Sequence, residues 1–336
     1  MNVRCSQRII PVVKLLAFAI SVAAILPACV RRPIQSASDT PKITADRAFI
    51  HIGLPSGDVL ELPLEQYVRH AVLGEVPIGS LAPNAAQTMA EVQIILARTY
   101  ALNHLGRHGN EGFDLCSTTH CQVYRETIDT QSEVQAIVDR AQESTRNIVV
   151  THKNRPIDAV FHANCGGATS PSSSVWGGES PPYLSGVNDP YCVSTDNSSW
   201  TFSVSREELR ATLNTTARTA IGDQLTLVRI VQHDNAGRVT KIQISGSQEL
   251  VLRGEQLRSV IANSFGWAAF KSSRFSVTEQ DGQFYFTGNG FGHGTGLCQI
   301  GAMARASAGH DFAEILRAYY PETDLSETQT DNRLSE

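Results

Sequence analysis

Glu75 is the first side chain whose type and position suggest acid catalysis. It follows Ala71 and Val72 on the apolar face of a helix predicted over residues 64–73. A carboxyl group there is expected to face the packed side, at a helix C-terminus where the dipole is negative. Burial and the dipole both disfavour the charged form, which predicts a raised pKa and a protonated general acid. The alternative is a helix-terminal glutamate that points to solvent.

Residues 114–124 (DLCSTTHCQVY) concentrate groups that bind metals. Cys116 and Cys121, together with His108 or His120, would form a zinc site, because zinc prefers thiolate and imidazole ligands. No paired CxxC motif is present, so a local disulfide in an irregular loop is equally compatible with the pattern. The sequence leaves both options open.

Gln122 and Tyr124 end that segment and could line a polar substrate groove. Downstream, residues 161–178 (FHANCGGATSPSSSVWGG) place His162 at a predicted strand end, ahead of two glycines. Gly166 and Gly167 allow a tight turn or a close approach of the backbone to a ligand. Trp176, in the same segment, offers a stacking face for a sugar or else anchors the core.

Residues 288–301 (GNGFGHGTGLCQIG) form a glycine-rich loop around His293. The loop lacks the GK[ST] ending of a phosphate-binding loop and the dinucleotide-binding spacing. We therefore expect a loop that approaches some other ligand closely. A candidate acid, these histidines and the lack of a Ser/His/Asp motif together favour carbohydrate chemistry.

The elements that must position these residues mix helices and strands. A hairpin is predicted over 49–60, and a helix over 83–105 is apolar around nearly its whole circumference, which is typical of a buried helix. Other predicted elements are helices over 133–144, 254–263 and 300–320, and strands over 148–150, 158–162, 225–231, 238–245, 248–253, 274–277 and 283–287. Regular βαβ alternation is missing, so we predict an α+β fold with mixed sheets and a buried central helix.

The N-terminus has the features of an export signal. A basic start precedes an apolar run over 15–26 that is too short for a transmembrane helix. The run ends in LPAC, which resembles the lipobox of bacterial lipoproteins. Residues 1–28 are therefore predicted to be a lipoprotein-type signal peptide, with a lipid anchor to the membrane on Cys29. Pro27 is unusual in a lipobox, so simple signal-peptide cleavage stays open.

Composition limits the remaining organisation. The chain of 336 residues is 41% hydrophobic and 18% charged, with a net charge of -5. No Lys/Arg run follows a phosphate backbone, so no nucleic-acid partner is expected. Residues 29–47 are predicted to be a flexible tether, 48–321 the folded domain, and 322–336 a disordered polar tail.

Four groups of segments together resemble the stage II sporulation protein D family, which includes amidase enhancers. They are LEQYVRHAVLGEVP; AEVQIILARTYAL with DLCSTTHCQVY; FHANCGGATSPSSSVWGG with YLSGVNDPYC; and GNGFGHGTGLCQIGA. They occur in the family's order and span about residues 62–321. One departure is Leu297-Cys298, where Met-Ser is expected before the glutamine.

The resemblance implies peptidoglycan binding and, in enzymatic members, lytic transglycosylase activity on glycan strands that have lost their stem peptides. The family's G-E-x-P segment corresponds to residues 74–77, which makes Glu75 the catalytic acid. No cofactor is implied as a requirement, and zinc stays open. The implied substrate-binding residues are Gln122, Tyr124, His162, Gly166, Gly167, Trp176, His293, Gly294 and Gln299.

Five cysteines follow Cys29, namely Cys116, Cys121, Cys165, Cys192 and Cys298. Export would place them in an oxidising compartment, and their odd number leaves at least one free or bound to something else. Cys165 opens the Gly-Gly loop and Cys192 closes the YLSGVNDPYC segment, so these two are predicted to form a disulfide.

Two rival functions are compatible with the sequence. The chain could be a non-catalytic module of the cell envelope that binds wall glycan and stimulates an N-acetylmuramoyl-L-alanine amidase. It could also be a hydrolase that uses a second carboxylate, such as Asp114, Glu179 or Asp189.

Overall fold

Helices and strands alternate irregularly along the described part of the chain, which in this computed structural model comprises residues 44–45, 49–126, 132–192 and 198–330. The α-helices are α1 (Leu64–Glu75), α2 (Pro83–Asn103), α3 (Ser132–Ser144), α4 (Ser172–Trp176), α5 (Arg206–Leu213), α6 (Gly254–Phe265), α7 (Gln299–Ser307) and α8 (Phe312–Tyr319). Short 3₁₀ turns occur at Ile78–Ser80, Gly109–Glu111 and Pro182–Leu184. The predicted α+β class is confirmed.

The strands form several small sheets. The strands are β1 (Thr44–Ala45), β2 (Phe49–Gly53), β3 (Val59–Pro63), β4 (Leu115–Cys116), β5 (Ile148–His152), β6 (Arg155–Pro156), β7 (Phe161–His162), β8 (Ser199–Ser205), β9 (Leu225–His233), β10 (Val239–Gly246), β11 (Glu249–Leu252), β12 (Phe275–Gln280), β13 (Gln283–Asn289), β14 (Leu297–Cys298), β15 (Asp324–Glu327) and β16 (Gln329–Thr330). The three-stranded sheets have the orders β3-β2-β4, β15-β5-β6, β11-β10-β9 and β12-β13-β8.

Helix α2 lies at the centre of the first hydrophobic cluster, as its apolar circumference predicts. Its Arg98 is buried and binds Glu65 of α1 with two hydrogen bonds, of 2.6 and 2.7 Å. The same guanidinium donates to the carbonyl oxygens of Thr145 and Ile148. Arg98 therefore fixes the first turn of α1 against α2 and the α3–β5 connection.

A second hydrophobic cluster is built from β8–β13, α5 and α6. Its centre holds the aromatic rings of Phe270, Phe275 and Phe286, which meet at centroid distances of 5.1 to 5.6 Å. Edge-to-face contacts of this kind add to the stabilisation that burial gives. None of the helices in the described residues is long and apolar enough to cross a membrane.

Two predicted elements differ from the structure. The helical region predicted over 300–320 is two helices, because Gly309 has a positive φ of 91° and Asp311 caps α8 by accepting the Glu314 amide hydrogen at 2.8 Å. The strand predicted over 158–162 is reduced to β7, which pairs in parallel with β14. That bridge joins Cys298 to His162 and aligns the two glycine-rich segments.

The tail is not disordered as predicted, at least through residue 330. β15 pairs antiparallel with β5, and β16 pairs in parallel with β1, which lies at the end of the predicted tether. Leu325 is buried, and the Ser326 and Thr151 hydroxyls lie 2.9 Å apart. These contacts explain the order of a polar segment. The predictions for residues 1–28, Cys29 and 331–336 lie outside the described residues.

Candidate functional site

Glu75 is the last residue of α1, and its side chain is half-buried. The Val123 amide donates a 2.7 Å hydrogen bond to its Oε1. Gly74 allows this close approach because it has no side chain. A Cβ at this position would lie 3.1 Å from the Val123 carbonyl oxygen. The helix thus continues two residues beyond its predicted end at residue 73 and places Glu75 against the 122–125 segment.

The surroundings of Glu75 raise the pKa of its carboxyl group, as the sequence predicts. Burial is the largest cause, while the Val123 hydrogen bond and the positive charge of Arg125 act in the opposite direction and lower the pKa. At a given pH, Glu75 is therefore protonated to a greater extent than an exposed glutamate would be. A carboxyl group in this state can deliver a proton and then be stabilised as a carboxylate by the amide.

Gln122 and Tyr124 flank Val123 along the chain, and both are buried. The Tyr67 hydroxyl donates to Gln122 Oε1 at 2.9 Å, while Gln122 Nε2 has no hydrogen-bond partner among the described protein groups. An unpaired buried amide is costly unless a ligand or water binds it. The Gln122 amide is therefore a candidate contact for a polar substrate.

We call Glu75, Gln122, Val123 and Tyr124, with the neighbouring Tyr67 and His70, the Glu75 group. Tyr67 and His70 were not predicted to be functional from the sequence. The Tyr67 and His70 rings stack on Tyr124 at centroid distances of 5.8 and 5.4 Å. Tyr67 lies eight residues before Glu75, on the same helical face, so its spacing was the available signal.

A second group, which we call the His162 group, contains His162, His293 and Trp176. The two histidine rings have centroids 5.3 Å apart, and Trp176 lies 5.1 Å from His293. Trp176 is 44% exposed, so it is not the core anchor that the sequence left open. An exposed indole beside two imidazoles can stack on a sugar ring.

Both histidines of this group are held as neutral imidazoles. Burial, with the nearby His293 and Arg238, lowers the pKa of His162 well below its usual value, and burial with Arg258 lowers that of His293 to about 3. His293 Nε2 donates to the Phe161 carbonyl oxygen at 2.8 Å, and its Nδ1 accepts from the Thr295 amide. His162 Nε2 is buried and lacks a partner in the described chain, so it can bind a ligand hydroxyl.

The glycines predicted to bind substrate shape the backbone of the two glycine-rich segments, 161–178 and 288–301. Gly166 and Gly167 have positive φ and make a tight turn, whose amides donate to Asn164 Oδ1 and Cys165 Sγ. Gly294 also has positive φ, and a Cβ there would collide with the Arg238 guanidinium. Gln299 begins α7, and its buried Nε2 has no partner among the groups described.

The structure keeps the Glu75 group and the His162 group as separate sets of contacts. Within the described residues, no hydrogen bond, ion pair or ring contact joins Glu75 to His162, His293 or Trp176. The predicted binding residues therefore fall into two sets of directly contacting residues, and the first set contains Glu75.

A group of potential metal ligands lies in the segment before Gln122. His108, Cys116, His120 and Cys121 bring their ligand atoms within 4.8 Å of one another. Both predicted histidine alternatives are present together, and both cysteines are free thiols, so the local disulfide is not formed. Burial alone would raise the pKa of Cys116, but hydrogen bonds from Thr118, Cys121 and His120 lower it to about 6.

The predicted disulfide between Cys165 and Cys192 is also not formed. Both residues are buried free thiols. The two thiols do meet, but Asp189 and Cys298 lie at the same place, and all four ligand atoms are within 4.8 Å of one another. The Cys165 thiol donates to Asp189 Oδ2 at 3.6 Å, and the Cys192 thiol donates to Asn164 Oδ1 at 3.3 Å.

Comparisons with known proteins define the family. A family model described as "Stage II sporulation protein" matches residues 56–152, and one for a domain of unknown function matches 191–296. An uncharacterised protein of Brachyspira hyodysenteriae is 30% identical over 273 residues, covering 80% of this chain and 67% of that protein. The "Stage II sporulation protein D" of Bacillus amyloliquefaciens is 27% identical over 280 residues, covering 81% and 76%.

The chain belongs to the stage II sporulation protein D family. A further relative is the "Amidase enhancer" of Bacillus subtilis, which is 25% identical over 283 residues, covering 70% of this chain and 37% of that protein. The first family match contains Glu75 and the His108–Cys121 ligands, and the second overlaps the second hydrophobic cluster. The resemblance stated from the motifs is thus confirmed.

The other carboxylates considered for this family member are differently placed. Asp114 is buried and accepts hydrogen bonds from the His51 and Gly106 amides. Asp189 is buried among thiols, and Glu179 is exposed. Asp114 therefore has a structural role in its loop, whereas Glu75 is half-buried and its pKa is raised by burial.

Proposed function

We propose that this protein is a peptidoglycan lytic transglycosylase that cleaves bonds between N-acetylmuramic acid and N-acetylglucosamine in strands lacking stem peptides. Membership of the stage II sporulation protein D family and an amidase-enhancer relative support a role in the cell wall. The observation that carries the enzymatic proposal is the half-buried Glu75 carboxyl, with its raised pKa and the Val123 amide on one oxygen.

The first chemical step is proton transfer from Glu75. Oε1 accepts the Val123 amide hydrogen, so the acidic proton is carried by Oε2. This proton moves to the glycosidic oxygen as the bond to C1 of the muramic residue breaks, and N-acetylglucosamine leaves with a hydroxyl. The Val123 amide and Arg125 stabilise the carboxylate that results.

The second step closes a ring within the substrate. The 6-hydroxyl of the same muramic residue attacks the oxocarbenium-like C1, and the Glu75 carboxylate accepts the hydroxyl proton. The product is a 1,6-anhydro end, and the acid is regenerated. One carboxyl group suffices because no water is activated, in contrast to the paired carboxyl groups of hydrolases.

Substrate contacts are assigned to polar atoms that the protein leaves unpaired. They are Gln122 Nε2, in the residue before Val123, His162 Nε2, and Gln299 Nε2 at the start of α7. Sugar hydroxyls and N-acetyl groups supply the matching donors and acceptors. The exposed Trp176 ring would stack on a sugar further along the strand.

Zinc fits the His108, Cys116, His120 and Cys121 group. The donor set is Cys₂His₂, and the ligand atoms are close enough for one ion. His108 Nδ1 lies 2.6 Å from Glu111 Oε1, the outer carboxylate contact that commonly orients a zinc-bound histidine. A bound ion would supply a structural cross-link, and these residues would then hold the segment that carries Gln122 and Val123.

A second candidate function is enhancement of a cell-wall amidase without glycan cleavage. The relative named "Amidase enhancer" favours it, although this chain covers 37% of that protein. In this case the polar atoms near Gln122 and His162 would bind glycan, and a separate amidase would act. Export and a lipid anchor at Cys29 belong to both proposals, because either substrate lies outside the cytoplasm.

The proposed reaction is tested on purified glycan strands without stem peptides, incubated in ¹⁸O-labelled water. Mass spectrometry should detect 1,6-anhydro ends that contain no label. Labelled reducing ends would indicate a hydrolase with another carboxylate. Binding without any cleavage would favour the enhancer function.

A further inference from the structure

A second, fully buried group of ligand atoms lies at the junction of three segments. Cys165 follows β7, Asp189 and Cys192 lie in the segment after the Pro182–Leu184 turn, and Cys298 precedes α7. All four side chains have 0% exposure, and their ligand atoms lie within 4.8 Å of one another. This group is distinct from the His108–Cys121 ligands.

We propose that Cys165, Asp189, Cys192 and Cys298 bind one zinc ion as a closed, structural Cys₃Asp site. Zinc–sulfur bonds of about 2.3 Å place two sulfurs of one ion at most about 4.6 Å apart, close to the observed spread. Three sulfurs and a carboxylate complete a four-coordinate shell. Each cysteine would release its thiol proton to solvent on binding.

Backbone amides are directed at two of the sulfurs. Cys298 Sγ accepts from the amides of Cys165 and Gly301 at 3.2 and 3.4 Å, and Cys165 Sγ accepts from Gly167 at 3.3 Å. Cys298 is also the N-cap of α7, where the helix dipole favours negative charge. These donors stabilise thiolates, as outer-shell contacts do in metal sites.

The carboxylate is fixed from its other side. Tyr319 donates a 2.6 Å hydrogen bond to Asp189 Oδ2, and the Arg305 guanidinium lies 3.4 Å from Oδ1. Gly301 is required next to it, because a Cβ there would collide with this carboxylate. The Arg305 charge offsets part of the negative charge that three thiolates and a carboxylate would leave around a divalent ion.

An ion accounts for this arrangement better than a disulfide does. A disulfide between Cys165 and Cys192 would use two of the four converging ligand atoms and would leave the Cys298 thiol and the Asp189 carboxylate buried beside it. The three sulfurs are free and converge with the carboxylate. Because Cys298 pairs with His162 in the β7–β14 bridge, the ion would also fix the loops that carry His162 and His293.

The test measures zinc in the full chain, purified without reductant in buffers containing zinc. The Cys116→Ser/Cys121→Ser variant removes the first ligand group and should retain one zinc per chain by elemental analysis. Adding Cys298→Ser should abolish this zinc. Serine is the residue expected at this position in the family motif, so the variant should fold, as circular dichroism would verify.

Cobalt gives a second readout. After chelation under reducing conditions, the Cys116→Ser/Cys121→Ser protein should bind one Co²⁺ with strong thiolate-to-metal charge-transfer absorption, and Cys298→Ser should remove that absorption. The proposal is overturned if the Cys116→Ser/Cys121→Ser protein holds no metal, or if peptide mapping of the same preparation finds Cys165 joined to Cys192. Neither result depends on glycan cleavage.

Discussion

At the residue scale, the chemistry of Glu75 depends on two opposing influences on its pKa. Burial raises the pKa, whereas the Val123 amide and Arg125 lower it. A general acid works only while protonated, so turnover should be present below the pKa of folded Glu75 and fall as the pH rises through it. The position of that alkaline limb therefore reports on the groups around the carboxyl.

The Arg125→Gln substitution should move the alkaline limb of kcat to higher pH. Removing the positive charge destabilises the Glu75 carboxylate, which raises the pKa of Glu75 further. The measurement is kcat against pH on stem-peptide-free glycan. Arg69→Gln is the matched control, because Arg69 of α1 binds Asp139 of α3. A shift of the limb to lower pH would contradict the assignment.

Trp176 and Trp267 provide a matched pair for glycan binding. They are 44% and 42% exposed, but Trp176 contacts His293 whereas Trp267 stacks on Arg258. Trp176→Ala should weaken glycan binding by about 3–10-fold, as expected for a lost stacking contact, and Trp267→Ala should leave it unchanged. Equilibrium binding to glycan strands measures both. Equal losses in the two variants would remove Trp176 from the proposed site.

The sequence predicts single side chains better than their partners. Glu75 was found because its spacing from Ala71 and Val72 puts it on the packed face of α1. The Tyr67 hydroxyl on Gln122 could not be predicted, since those residues lie 55 positions apart and meet only through tertiary packing. Tertiary packing also explains why the Cys165–Cys192 disulfide was predicted from the sequence but is not formed. A third thiol and a carboxylate, from distant parts of the chain, share the site.

At the element scale, the segment from His108 to Tyr124 is what positions Val123 against Glu75. It contains little regular structure, namely one 3₁₀ turn and the two-residue strand β4. Segments with so few backbone contacts usually need another source of order. The proposed zinc ion would supply it, so metal binding and the acid's hydrogen bond should be coupled.

Glu111→Ala should weaken zinc binding at the first site by about 10–100-fold, because it removes the carboxylate on His108 Nδ1. Turnover should fall in parallel at low zinc and recover when zinc is added. Competition with a chelator measures the affinity. Glu61→Ala changes an exposed carboxylate near His51 and serves as the control. Unchanged zinc affinity in Glu111→Ala would contradict the proposed role.

Elements with a strong hydrophobic periodicity were predicted well from the sequence. Elements that depend on pairing with a distant part of the chain were not. The apolar circumference of α2 predicted its central burial. The polar β15 gave no such signal, because its order comes from pairing with β5, about 175 residues earlier in the chain. Gly309 and the Asp311 cap mark the break between α7 and α8 in the sequence. The break was not predicted, because the apolar pattern continues across it.

At the scale of the whole molecule, the second family match contains the second hydrophobic cluster, whereas the first match contains only part of the first cluster. The Glu75 group and the first ligand group belong to the first match, and the arginines that lower the histidine pKa values belong to the second. His293 itself lies in the loop that follows β13. The second cluster therefore contributes to the His162 group through Arg238 and Arg258.

Anchoring also belongs to the whole molecule. Cys29→Ala should release the protein from membranes or block its maturation, because the lipid would have no attachment site. Cell fractionation and the mass of the mature N-terminus measure this. Identical fractionation with and without Cys29 would instead support simple cleavage of the signal peptide.

The measurement that tests the central claim most directly is the turnover of Glu75→Gln on stem-peptide-free glycan, with binding measured in parallel. Glutamine keeps the size and accepts the Val123 amide but cannot deliver a proton. The raised pKa means that ionised Glu75 disfavours the folded state as pH rises, so the variant should be no less stable than the parent at neutral pH. We predict unchanged glycan binding and a loss of turnover of about 10²-fold or more. Undiminished cleavage by the folded Glu75→Gln protein would remove Glu75 from the mechanism.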